Sequence, residues 1–537
     1  MNRHGWIIGF LCSALATLAA VSSASAASGL NVVFGSGGIS RLSYNGIVLF
    51  DESVPPADSF RIVDYTLSAG GKVVHVQDDP RHSDAWNAQT RTLTRTFSWG
   101  TAAIQYAVQS SAVAMTITVA NTSSSTTISG LNIFPLEVRF PMLPKDVPSG
   151  VHYGWGEPGV VVADYGSAAA AFVEEDAASP LYYGLLNDNN TAKFKNLTAW
   201  IGTQRLPWGG GLPDLHKTIA PGATEIFHAS LRFGPSGSTP KTLAPDVLAA
   251  YAAALPLSVN WPDRRPIGML FIAANGPKSN SATNPPGWLN NPRLNLLTDE
   301  GKADFAKQLV AYAEHCIPIF RAMNAQGMIT WDVEGEQYPT SYIGDPRVAA
   351  RISPELNYNR AIDKYFETFR LAGLRVGVTI RPQKLIFKDA MPVDQLDIAD
   401  ADETFNLLAD KIDYAREHWG CSIFYVDSTG GGEDPSIFAR VHQRFPDVLL
   451  IPENPNVGMY SACAPFGSIR QNRMETPDLV RQVYPNAFSV IDTTIEKTPT
   501  REAELIDGVR HGDILMFHGA GPVSTLVQRA YREAAGR

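Results

Sequence analysis

Histidine and cysteine are both scarce in this chain, and each shortage removes a class of chemistry. Only 11 histidines occur in 537 residues, and none forms a His-x-His or His-Glu-x-x-His pattern, so the common signatures of a metal-dependent hydrolase are missing. Of the four cysteines, Cys12 lies in the N-terminal apolar stretch. Cys316, Cys421 and Cys463 then form an odd, widely spaced set that suits neither a disulfide framework nor a zinc site. Positive charge is also short: the formal net charge is -9, which excludes a phosphate-backbone binder and with it a nucleic-acid partner. Beyond the N-terminus no apolar run approaches the roughly 20 residues of a membrane helix. The glycine run Gly430-Gly431-Gly432 lacks the Lys-Ser/Thr of a phosphate-binding loop, and Glu433 and Asp434 after it would repel a phosphate. No cofactor is implied.

The N-terminus reads as a leader. Arg3 supplies a positive start, Ile7 to Val21 is a short apolar stretch, and Ala24-Ser25-Ala26 fits a small-x-small cleavage rule. Residues 1–26 are therefore expected to be a signal peptide. The mature chain is expected to be periplasmic or extracellular, with no membrane insertion once the leader is removed.

With 45% hydrophobic residues over this length, the chain has enough apolar material for two large domains. Residues 27–243 carry short period-two segments divided by Ser, Asn, Gly and Pro clusters. Arg41 to Tyr44, Lys72 to Val76, Val113 to Val119 and Thr224 to Arg232 are examples. Such spacing predicts an antiparallel β-sandwich. Within it, Asp78 to His82 with Trp86, and Tyr153 to Glu157, set aromatics beside turn residues, as a sugar-stacking surface would, although core aromatics and loop charges explain them as well. Residues 244–262 read as a helical linker.

From 263 to 537 strand-like runs alternate with helical segments, which over about 275 residues predicts a parallel (β/α)8 barrel of the TIM type. The expected strands run from Ile267 to Ala273, Met328 to Glu334, Arg375 to Arg381, Cys421 to Asp427, Val448 to Glu453, within Ala462 to Ser468, Ala487 to Asp492, and Asp513 to His518. The helix before the last strand is expected to start with a cap in Thr498 to Glu502. A doubly wound sheet competes, but Ala274-Asn275-Gly276-Pro277 after the first strand is not the glycine-rich turn it would use.

In barrels of this type active sites form at the carboxyl ends of the strands. Those ends hold Asp332 and Glu334 on the second strand, Arg381 on the third, Asp427 on the fourth, Glu453 and Asn454 on the fifth, Asp492 on the seventh and His518 on the eighth. Alternation predicts that Thr330, Asp332 and Glu334 point inward and that Ile329, Trp331 and Val333 face the helices, with Trp331 behind the rim. On the third strand it sends Thr379 and Arg381 inward. Neighbouring parallel strands lie about 4.8 Å apart. Asp427 and Glu453 can thus reach the separation of about 5 Å used by retaining glycosidases. Asp427 is the expected nucleophile and Glu453 the acid/base. Asp332, Glu334, Arg381, His518, Asp492 and Asn454 are the expected contacts to an oligo- or polysaccharide.

An Asp, a Glu and an Asp ending strands four, five and seven is similar to the pattern of the α-amylase clan and of the endo-α-N-acetylgalactosaminidase family, which are retaining α-glycosidases. The resemblance implies α-linked substrates, Asp427 as nucleophile, Glu453 as acid/base and Asp492 as stabiliser of the transition state. The amylase arginine two residues before the nucleophile is replaced here by Tyr425, and Val490-Ile491-Asp492 stands where that clan has Asn-His-Asp. Two other classes fit the same residues: a non-catalytic carbohydrate-binding protein, and a metal-dependent hydrolase using Asp332, Glu334, Asp427 and His518.

Overall fold

The computed structural model describes residues 29–53, 58–140, 156–176, 181–188, 195–203, 217–273, 281–335, 344–352, 358–388, 391–429, 434–468, 475–493 and 501–536. The leader, Tyr153 to Trp155, Ala274 to Pro277, Glu336, Gly430 to Glu433 and Thr498 to Thr500 lie outside them.

The N-terminal half is antiparallel. Leu30–Gly35, Gly38–Tyr44 and Ile47–Asp51 form a three-stranded sheet. A five-stranded sheet runs in spatial order Tyr182–Asp188, Lys195–Gly202, Thr127–Phe140, Arg61–Ala69, Lys72–Gln77. A seven-stranded sheet has Ala112–Asn121 at its middle, and Thr224–Gly234 lies between that strand and Ala169–Glu174. Alternate residues such as Val113, Met115, Ile117 and Val119 are buried, and they share one core with Leu42, Ile62, Tyr65, Ile133 and Phe172 of the other strands. The period-two pattern of the sequence thus becomes a sheet-on-sheet core. Trp86 stacks on Phe34 with ring centroids 5.6 Å apart. Asp79 is buried on the Tyr65 hydroxyl and the Arg81 guanidinium, which makes this polar and aromatic group part of the packing.

The second half is an eight-stranded sheet with every adjacent pair parallel. Its strands, numbered in chain order, are β1 (Ile267–Phe271), β2 (Gly327–Trp331), β3 (Arg375–Ile380), β4 (Ile423–Val426), β5 (Leu449–Pro452), β6 (Phe466–Ser468), β7 (Val490–Asp492) and β8 (Ile514–His518). β1 pairs with both β2 and β8, and the ladder runs without a break from β5 round through β1 to β6. Between β5 and β6 the ring is bridged by the Ala464 N–H on the Leu450 carbonyl, at 2.9 Å.

Helices cover the barrel, and local chemistry sets their ends. Asp299–Ala322 starts at Thr298, whose side chain accepts the Gly301 N–H, and buries Phe305, Leu309, Ala313, Cys316 and Phe320 along one stripe. Ala401–Trp419 starts at Asp400 and stops at Gly420, which takes a φ of 69° that a side chain would disfavour. The helix before β8, Glu502–Arg510, starts after Arg501 with no side-chain cap.

The barrel interior is a packed apolar cluster that includes Ile267, Met269, Ile329, Trp331, Ile423, Tyr425, Leu449, Ile451, Val490, Ile514 and Met516. This reverses the facing expected for β2. Ile329 and Trp331 point into the barrel, Trp331 lying 4.8 Å from Tyr425 between ring centroids. The Thr330 hydroxyl sits 3.0 Å from the Tyr365 hydroxyl on the helix Tyr358–Leu371. The physical reason is that the inside of an eight-stranded barrel is a core filled by bulky side chains, so the larger apolar residues belong there. Alternation also ends at Trp331, because Asp332 has a φ of 59°.

Candidate active site

Asp427 and Glu453 each extend the inward-facing row of their strand by one step, after Ile423 and Tyr425 on β4 and after Leu449 and Ile451 on β5. Register aligns the two rows. Tyr425 pairs with Ile451, and the ladder continues one residue further through the Glu453 N–H on the Val426 carbonyl at 3.0 Å. On the other side Thr379 pairs with Tyr425, and the Asp427 N–H reaches the Ile380 carbonyl at 2.9 Å. Arg381, Asp427 and Glu453 therefore occupy one layer on three adjacent strands.

Contacts within this layer are short. Arg381 Nε and Nη2 both donate to Asp427 Oδ2, at 2.6 and 2.5 Å, and Nη1 donates to Gln395 Oε1 at 2.7 Å. Gln395 belongs to a hairpin, Lys384–Lys388 with Met391–Leu396, inserted after β3. Both guanidinium contacts fall on one oxygen, so the arginine orients the carboxylate without occupying Oδ1. Asp427 and Glu453 also sense each other's charge across the two strand ends. Burial, and then the negative charge of Asp427, push the Glu453 carboxyl above its ordinary range, while the Ser428 N–H on Oε2 at 3.0 Å and the Arg381 charge work against the shift. Ser428 donates from a left-handed conformation, φ 59°. Asn454 is tied to the loop after β4 through its N–H on Thr429 Oγ1 and its side-chain amide on the Thr429 carbonyl, at 2.8 and 2.7 Å.

Tyr425 was not among the residues singled out from the sequence, although the alternation that points Asp427 inward applies to it equally. Its ring packs on Trp331 and Phe466, and its hydroxyl lies among the charges of Glu453 and Asp427. Burial and the charges of Glu453, Asp427 and Asp492 hold its phenol well above the usual range. Asp492, buried at the end of β7, is thereby placed in the same electrostatic neighbourhood. His518 ends β8 as an exposed rim residue, 6.3 Å from Phe271 between ring centroids.

The β2 end is arranged differently. Glu334 is buried and accepts the Asp345 N–H at 3.0 Å. Burial pushes its carboxyl up to about 7. Lys411, fully buried on the helix Ala401–Trp419, donates to the carbonyls of Arg381 at 2.7 Å and Gln383 at 3.0 Å, and stands 3.8 Å from Asp345 Oδ2. Desolvation brings its ammonium down to about 8, although Asp345 and Glu334 oppose the shift. Glu334 thus belongs to a buried charged group supporting the Arg381 turn. Asp332 is also buried.

Among the described residues, the side chains with metal-binding atoms grouped within 4.8 Å of one another are Glu475, Asp507 and His511, not the set Asp332, Glu334, Asp427 and His518. Three cysteines, Cys316, Cys421 and Cys463, are buried free thiols.

No protein-family model matches the sequence, and no curated protein matches it. Solved structures do resemble it in shape. The α-N-acetylgalactosaminidase NagBb from Bifidobacterium bifidum aligns over 95% of this chain and 91% of its own, with TM-score 0.52 and 11% identity. The GH36 α-galactosidase AgaB from Geobacillus stearothermophilus aligns over 88% of this chain and 74% of its own, with TM-score 0.42 and 10% identity. At such identities the likeness to NagBb is one of fold: a chain of antiparallel sheets leading into a nearly closed, eight-stranded parallel barrel.

Proposed function

We propose that this protein is an exported glycoside hydrolase that cleaves α-linked sugars with retention of configuration. The observation that carries the reading is the Asp427–Glu453 pair: two electrostatically coupled carboxyl groups in one layer at the ends of adjacent barrel strands, one gripped by an arginine and the other raised in pKa. Two acids have no reason to be held this close in a site that only binds sugar, because their mutual repulsion weakens the structure.

In this mechanism Asp427 attacks the anomeric carbon while Glu453 protonates the departing oxygen. Glu453 then takes a proton from the water that releases the sugar from Asp427. Arg381 orients the nucleophile, Asp492 steadies positive charge on the ring, and Asp332, Asn454 and His518 contact hydroxyls. The fold shared with NagBb makes an α-linked N-acetylgalactosaminide the first substrate to try. Export rests on the leader-like residues 1–26.

The test is turnover of activated aryl α-glycosides by the mature chain and by Asp427→Asn and Glu453→Gln. Each substitution is expected to abolish turnover while leaving the circular dichroism spectrum unchanged, and the first-formed sugar should keep the anomeric configuration of the substrate. Full activity in both variants would overturn the assignment.

A further inference from the structure

The described loop after β5 is not supported by the barrel alone. It runs from Glu453 through Asn454, Pro455 and Asn456 into the turn Val457–Ser461, and a segment of the β-sandwich half meets it there. The Gly458 N–H donates to the Gly156 carbonyl at 2.5 Å, and the Val457 N–H donates to Glu157 Oε1 at 3.1 Å. Asn456 closes against Gly156 so tightly that a Cβ there would fall 2.2 Å from Asn456 Cγ, and Gly156 has a φ of 78°. This close approach requires glycine. Apolar packing seals the same seam: Val457 and Tyr460 share a buried cluster with Val160, Ala171 and Val173 of the sandwich strands and with Val247, Leu248 and Tyr251 of the helix Pro245–Ala254.

We infer that the β-sandwich is a working part of the catalytic centre: Gly156 and Glu157 clamp the loop that carries Glu453, and Glu157 is a positioning residue for the acid/base. The inference rests on the reading of Glu453 given above. Among the described residues, the anchors nearest Glu453 are Thr429 of the β4 loop, holding Asn454, and the Gly156–Glu157 pair, holding Val457 and Gly458, with Ser258 on the Ser461 carbonyl beyond them. Glu453 lies next to the first anchor, and Pro455 and Asn456 span the gap to the second. Loss of the second anchor lets the β5 end drift, and a shift of about 1 Å in a catalytic group can cost about 100-fold in rate.

Glu157 is partly buried, and burial raises its carboxyl to about 8, so the clamp works in its neutral form. The ionisable groups that sense its charge are Tyr183 of the strand Tyr182–Asp188 and Tyr251 of the adjoining helix. Burial opposes the ionisation of Glu157, while the Val457 N–H favours it.

The experiment compares the parent with Glu157→Ala and Glu157→Gln, using Asp427→Asn and Glu453→Gln as controls. Glu157→Ala is expected to lower kcat by about 100-fold with KM close to the parent's. Glu157→Gln, which keeps an oxygen for the Val457 N–H, should restore kcat. The alkaline limb of the parent's kcat profile should be steeper than that of Glu157→Gln, because only the parent ionises a second group there. A Glu157→Ala enzyme with lower Tm but parental kcat would overturn the inference. So would superimposable alkaline limbs for the parent and Glu157→Gln, a readout that stands even where Glu157→Ala does not fold. Full activity in the Asp427 and Glu453 controls would instead overturn the active-site reading, so the two failures are told apart.

Discussion

Arg381 places two guanidinium N–H groups on a single oxygen of Asp427, at 2.6 and 2.5 Å, from the neighbouring strand and the same layer of the barrel. Both side chains are nearly enclosed, with 10% and 13% of their surfaces exposed, so the contact is only weakly screened by solvent.

Replacing Arg381 by Met therefore leaves a buried carboxylate without its cation. Stability is expected to fall by about 3 kcal/mol, read by urea unfolding. Because the Arg381 charge holds Glu453 down, its loss should also move the alkaline limb of kcat/KM to higher pH while kcat falls. An unmoved limb would show that Glu453 is not the group titrating there.

Tyr425→Phe tests the residue beneath the pair. The ring still fills the barrel against Trp331 and Phe466, so the stability loss should be only about 1 kcal/mol. The hydroxyl beside Glu453 is gone, and kcat should drop about tenfold with little change in KM. A change confined to KM would place the hydroxyl on the substrate instead.

Lys411→Met tests the charged group behind the site. It leaves the carbonyls of Arg381 and Gln383 unbonded by the ammonium and Asp345 with one positive neighbour fewer, at a cost of about 3–5 kcal/mol. Activity should fall with it, since the Arg381 turn is what these bonds hold. Parental unfolding and kinetics in this variant would show the turn to be self-supporting.

Stability itself should depend on pH through three buried acids. Glu157 and Glu174 are raised to about 8 and Glu334 to about 7, in each case mainly by burial. Between the ordinary glutamate pKa of about 4.3 and these values the native state binds protons that the unfolded chain has released. Stability is therefore greatest below that window and falls as pH rises to about 8. Glu334→Gln should flatten the slope by about 3 kcal/mol across the window, seen as a smaller shift of Tm with pH. An identical slope would mean that Glu334 is ionised in the native state.

Much of this molecule was legible in one dimension, because the relevant signals are local. Period-two segments announced the antiparallel sheets, and apolar strands alternating with helical segments announced the barrel. The acids at the ends of β4 and β5 stood out because each follows an unbroken apolar run. What failed was the facing of β2: Thr330-Trp331-Asp332 alternates in polarity, yet which face of a strand is inside depends on register with its neighbours and on how much volume the barrel must fill. Trp331 filled it, and the positive φ of Asp332 then broke the period.

The residues by themselves determined that a parallel barrel would carry a row of acids along one rim, since strand ends and side-chain parity are properties of short stretches of chain. Only the folded structure decided that Arg381 would close on Asp427, that Tyr425 would rise beneath the pair, that Lys411 would bond the Arg381 turn while Glu334 took the Asp345 N–H, and that Gly156 and Glu157 would reach across to the β5 loop. Those contacts join residues 46 apart at Arg381 and Asp427 and 300 apart at Glu157 and Val457. Distances of that kind are set by packing and register, which no local pattern encodes.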